Sequence, residues 1–199
     1  MSAVGGVEGR SRSGTRMLGD PPLAQALFSD VRWSWIWIIP RLYLGYEWLT
    51  AGWGKLFSPV WTGDKAGVAI TGFVQGALSK TGGEHPDVTG WYAWFLQTLV
   101  LPNAPVWGYM VAVGEVLVGI ALIIGIFTGI AAFFGSFMNV NYLLAGTVSS
   151  NPILGFIGLF LILAWKTAGW WGLDRWALTA LGTPWRGAPV RAPGGSARE

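Results

Sequence analysis

The sequence predicts an all-α integral membrane protein: a four-transmembrane-helix bundle with short interfacial helices in the long loop between helices 1 and 2. Three observations predict this. Of 199 residues, 52% are hydrophobic and 12% charged, and the mean hydropathy of +0.47 is too high for an ordinary soluble domain. Four apolar runs are long enough to cross about 30 Å of hydrocarbon. Many of the 14 tryptophans gather near the ends of those runs (Trp33, Trp35, Trp37, Trp107, Trp170 and Trp171), where indole rings sit at headgroup level.

The elements follow in chain order. Residues 1–22, MSAVGGVEGRSRSGTRMLGDPP, are rich in Gly, Ser and Arg and read as a disordered cytoplasmic tail. They do not read as a signal peptide, because the next apolar stretch starts only at Trp33 and is too long for a signal core. The membrane domain is expected over 23–181. Its spans are placed at 35–57, 106–126, 128–147 and 152–168, with Pro40 early in the first and Pro152 in the opening turn of the fourth. The loop between spans one and two holds GVAITGFVQGAL and WYAWFLQTLVL, each too brief to cross and expected to lie on the outer leaflet as a lid. Residues 182–199 read as a flexible cytoplasmic tail.

The basic residues set the orientation. Arg10, Arg12, Arg16 and Arg32 precede the first span, and Arg175, Arg186, Arg191 and Arg198 follow the last. The two short connections carry no Lys or Arg, and the long loop carries only Lys65 and Lys80, so both termini are expected in the cytoplasm of a multi-pass cell-membrane protein. The net charge of +3 is scattered through the tails, which leaves no nucleic-acid footprint. Cysteine is absent and His85 is the one histidine. That composition argues against Cys/His zinc, iron–sulfur clusters, bis-histidine haem and disulfides. No GxGxxG fingerprint follows a strand either. Redox chemistry would then need a diffusible organic cofactor or a partner chain.

The first span, RLYLGYEWLTAGWGKLF, carries Arg41, Glu47 and Lys55. At about 1.5 Å of rise per residue, Glu47 lies roughly 15 Å below the outer end of its span, Glu115 in the second about 14 Å, and Asn139 about 17 Å from the inner end of the third. Ionisable side chains at that depth are costly and point to function or to pairing. Arg41, Gly45, Trp48, Gly52 and Lys55 form one narrow stripe, with Glu47 off it. Gly108, Glu115, Gly119 and Leu122 share a face of the second span, and Gly135, Asn139 and Tyr142 share one of the third. Small residues beside polar ones mark close helix contacts. A structural reading stands beside the functional one: Arg41, Lys55 and Lys166 snorkel to the interfaces, Glu115 pairs with Arg41 or Asn139, and Asn139 and Asn141 join helices. His85 reads as an exposed turn residue.

Three stretches, RLYLGYEWLTAGWGKL, GEVLVGIALIIGIFTGIAAFFGSFMNVNYLLAGTVSSNPIL and LAWKTAGWWGLDRW, resemble the DoxX family and, more closely, its DoxD branch over residues 32–178. The resemblance implies a four-helix membrane subunit of thiosulfate:quinone oxidoreductase, which forms tetrathionate and passes electrons to membrane quinone. It also implies a DoxA-like second subunit on a separate chain. For such chemistry Glu47 and Glu115 are candidate proton carriers and Trp48, Asn139, Tyr142 and Arg41 candidate quinone contacts. Lys55 offers positive charge to a dianion arriving from outside. The resemblance leaves enzyme and non-enzyme open. A quinone-linked subunit predicts a quinone-sized slot beside these residues, whereas a scaffold that assembles a redox partner predicts paired carboxylates and no cavity. A small-molecule or proton transporter is the third reading, but neither inverted repeats nor broken helices are evident.

Overall fold

The computed structural model describes residues 19–182, and helices are its regular elements. The expected tails lie outside these residues, except where they meet the first helix and the last turn. Chain order gives α1 (Pro22–Ser29), α2 (Ile38–Leu56), α3 (Val68–Leu78), α4 (Gly90–Phe95), α5 (Ala104–Ile124), α6 (Thr128–Leu144), α7 (Asn151–Leu163) and α8 (Asp174–Ala180). A 3₁₀ segment, Val31–Trp37, joins α1 to α2, and Asp30 caps it by accepting the Arg32 amide at 2.9 Å.

The second apolar loop segment is not a separate surface helix. Gly90–Ile124 forms one helical run of 35 residues, through a π turn at Leu96–Val100 and a 3₁₀ turn at Leu101–Asn103 into α5. Pro102 and Pro105 sit at first-turn positions, where the missing N–H costs no helical bond. Among the described residues this is the one helix long and apolar enough to cross a membrane by length and composition. The other expected spans are shorter than the apolar runs that predicted them. α2 has 19 residues, α6 has 17 and α7 has 13, so they reach about 28, 26 and 20 Å.

Helices α2, α5, α6 and α7 pack as an antiparallel bundle, and glycine sets the spacing. A Cβ at Gly52 would lie 2.6 Å from the Val116 amide nitrogen, and one at Gly45 would lie 3.1 Å from the Gly119 carbonyl oxygen. Gly119 in turn faces the backbone of Leu49. The buried face of α2 is Arg41, Leu44, Gly45, Trp48 and Gly52, which is the predicted stripe up to its last residue. On α6, Gly135 abuts the Trp48 indole, and Gly155 and Gly158 of α7 face Asn139 and Ser136.

Two apolar cores result. One fills the bundle with Leu44, Trp48, Val118, Leu122, Ala132 and Leu161. The other joins α3, α4 and the start of α5 through Ile70, Val74, Val88, Leu96 and Val100. Helix α1, absent from the sequence reading, anchors on the first core: Phe28 stacks on Trp37 at 5.8 Å, and the Trp37 indole donates to the Leu27 carbonyl at 2.9 Å.

The glycine seam generates a direct test. Gly52→Ala should destabilise the fold by about 1–3 kcal/mol, because a backbone atom cannot yield to the new methyl group. Gly54→Ala, where nothing lies within 4 Å, should leave the melting temperature unchanged or raise it. Equal melting of the two variants in detergent would contradict the close approach.

Candidate functional site

The site starts from the α2–α5 contact. Gly52 brings the α2 backbone onto the Cβ of Glu115, which lies 2.8 Å from the position a Gly52 Cβ would take. Lys55, one turn further along α2, then turns inward, and its Nζ donates to Glu115 Oε2 at 2.5 Å. The second carboxylate oxygen is also engaged: Tyr142 Oη, from α6, donates to Oε1 at 2.7 Å. Glu115 is 1% exposed, whereas the Lys55 side chain keeps 22% of its surface open, with the ammonium 5.2 Å from the Trp61 ring centroid. A desolvated carboxylate is thus held by one cation and one hydroxyl on two other helices, as a buried charge requires.

Tyr142 joins this network to a cavity of about 160 Å³. Aromatic side chains dominate the walls, among them Trp61, Phe73, Tyr92, Phe95 and Trp107, with Val111 of α5 beside them. Phe73 meets the Tyr142 ring edge-on at 6.0 Å. Tyr92, Asn141 and Tyr142 supply the polar side chains. Tyr92 Oη lies 2.9 Å from the Asn141 carbonyl and 3.1 Å from its side-chain oxygen, which fastens α4 to the end of α6. Lys80 makes a parallel fastening from the end of α3, donating to the Gly146 carbonyl at 2.6 Å. The cavity therefore has a roof tied to the bundle at two points.

The other predicted site residues lie elsewhere. Glu47 is half-buried and makes no side-chain hydrogen bond or ion pair among the described residues, so it stands apart from the network centred on Glu115. Trp48 and Asn139 are buried in the bundle core, and the indole N–H and both amide atoms have no partner among the described residues. Neither lines the cavity. The pairing considered for Glu115 is corrected: its partners are Lys55 and Tyr142, not Arg41 or Asn139. Arg41 sits at the opposite end of the bundle, 3% exposed, against Gly125 and Gly172, in the field of Asp174.

Asp174 escaped the sequence reading altogether. It is fully buried, and its two carboxylate oxygens accept the amides of Phe127 at 2.5 Å and Thr128 at 3.0 Å, so it caps the start of α6 from a distant part of the chain. Gly125, at φ 68°, ends α5 in the left-handed region and leaves room for the Arg41 guanidinium. The available signal was the one acid between residues 125 and 182, in the Trp-rich stretch GWWGLDRW. Among the described residues, no group of three or more His, Cys, Asp or Glu side chains gathers as metal ligands would.

The Lys55–Glu115 pair is testable by a double-mutant cycle. Lys55→Met alone should cost about 3–5 kcal/mol, because Glu115 is left buried and uncompensated. Lys55→Met with Glu115→Gln should recover most of that loss. A double-variant loss in thermal unfolding equal to the sum of the Lys55→Met and Glu115→Gln losses would show that the side chains are not coupled.

The comparisons with known proteins place the chain at the level of family only. Searches against curated proteins and against solved structures find no match. The DoxX family, whose members are generally membrane-associated, matches residues 36–147, a stretch that runs from the start of the bundle through α6 and holds Lys55, Glu115, Tyr142 and every wall of the aromatic cavity. Since that match covers more than half of the sequence, the chain belongs to the DoxX family.

Proposed function

We propose that the chain is the membrane subunit of a quinone-linked oxidoreductase, which seats a quinone ring in the cavity beside Glu115 and delivers protons to it. One observation carries this reading: Tyr142 is at once a wall of the aromatic cavity and a hydrogen-bond partner of the buried Glu115 carboxylate. A space of about 160 Å³ is close to that of an engineered cavity that takes benzene, so it suits one six-membered ring. Reduction of a quinone consumes two electrons and two protons. In this chain Tyr142 and Glu115 would pass the two protons to the ring oxygens in turn, each proton replaced from solvent past Lys55, which is partly open and would steady the carboxylate between transfers. The electrons come from a partner, for which the family resemblance suggests a thiosulfate-oxidising DoxA-like subunit.

Membrane placement is supported by the outside of the bundle. Ile39, Tyr46 and Trp53 of α2, Leu117 of α5, Phe134 and Phe137 of α6, and Phe156 of α7 are each more than half exposed. An apolar surface of that extent on several sides of one chain suits lipid better than water. We place the α3–α4 roof outside and both termini in the cytoplasm, on the distribution of Lys and Arg.

A second reading has its own observation. Both oxygens of Glu115 are already engaged, so the network also works as a pin that joins α2, α5 and α6 in a scaffold for a redox partner. Thiosulfate-dependent quinone reduction in membranes carrying this chain with a DoxA-like partner separates the two. On the oxidoreductase reading, Glu115→Gln lowers turnover by about 10²-fold or more while the protein stays inserted. Val111→Trp, which fills the cavity, should raise the quinone KM. Full turnover in both variants would leave the scaffold.

A further inference from the structure

We infer that the groove between the start of α6, the end of α7 and α8 holds one acyl chain of an anionic phospholipid, with its phosphate between Lys166 and Arg175. The groove lies at the opposite end of α6 from Tyr142 and does not depend on the quinone reading. Its volume is about 440 Å³, and Phe127, Ile130, Phe133, Ile162, Trp165 and Leu181 form its walls without a charged side chain. Leu178 of α8, 8% exposed, lies at its base. An apolar trough of this shape at the margin of a bundle fits a hydrocarbon chain.

The rim decides which lipid. Lys166 follows the wall residue Trp165, with its ammonium 6.0 Å from that ring centroid. Arg175 lies one helical turn before Leu178, with its guanidinium 5.1 Å from the Trp170 ring centroid. Neither cation takes part in an ion pair among the described residues. The single acid between residues 125 and 182 is Asp174, which is fully buried with both oxygens taken by the Phe127 and Thr128 amides. The rim therefore presents two cations with no exposed acid near them in sequence. Trp171 and Trp176, both more than half exposed, flank it as headgroup-level anchors. A zwitterionic headgroup brings its own ammonium to those cations, whereas an anionic one gains both. Clustered cations beside a helix groove select anionic headgroups in this way.

The test is native mass spectrometry of the full chain in detergent, titrated with phosphatidylglycerol or phosphatidylcholine of the same chain length. Phosphatidylglycerol should bind about tenfold more tightly. Lys166→Gln with Arg175→Gln should remove that preference and leave phosphatidylcholine binding unchanged. Ile130→Trp, a change at a position 57% exposed and so harmless to the core, should fill the groove and weaken both lipids. Equal affinity for the two lipids in the unaltered chain, or an Ile130→Trp variant that binds both normally, would overturn the inference. If the double variant fails to fold, the Ile130→Trp result decides.

Discussion

The structure depends on how closely α2 approaches α5. In the membrane setting proposed for this chain, helix packing gains little from apolar burial, so contact area and polar bonds must supply the stability. Gly45, Gly52 and Gly119 remove the side chains that would hold the two backbones apart. That approach sets the position of Lys55, whose ammonium reaches the Glu115 carboxylate only because Gly52 lies against the Glu115 Cβ. A bulkier seam would leave a carboxylate buried without its cation, a state that costs more than the pair contributes. Packing and electrostatics are therefore one constraint here.

From that contact the rest of the site follows. Glu115 faces both α2 and α6, so the Tyr142 hydroxyl completes its shell and the Tyr142 ring is left between the two apolar cores. The cavity forms where these cores meet, under a roof fastened by Tyr92 and Lys80. The other end of the bundle is organised by a second buried carboxylate. Asp174 is satisfied by backbone amides rather than by a side-chain cation, which makes it a structural cap, whereas Glu115 bridges helices beside the aromatic cavity. This difference in partners is the reason to assign chemistry to Glu115.

Much of this was legible in the residues, and the exceptions have physical causes. The α2 stripe and the Glu115–Gly119 face could be read because a period of 3.6 residues and small side chains report helix contacts directly. Depth alone gave Glu47 the same standing as Glu115, but depth does not say which way a side chain points, and Glu47 lies off the buried stripe. Lys55 read as a headgroup cation because it is near a helix end, yet its long stem reaches inward as easily as outward. Asp174 could not be recognised, since its partners are amides 46 and 47 residues away. Helix α1 was hidden by the Gly-, Ser- and Arg-rich sequence before it, although its Leu27 and Phe28 pack on the bundle core. The break expected before α5 did not occur, because both prolines fall where a helix tolerates them.

The central claim is that the Glu115 carboxylate responds to what occupies the cavity. Infrared difference spectroscopy of the protein in lipid nanodiscs, with and without a short-chain quinone, tests it most directly. The account predicts a change in the carboxyl and carboxylate bands that disappears in Glu115→Gln and shifts in Tyr142→Phe. A spectrum with no carboxyl change, or one that persists unaltered in Glu115→Gln, would contradict it.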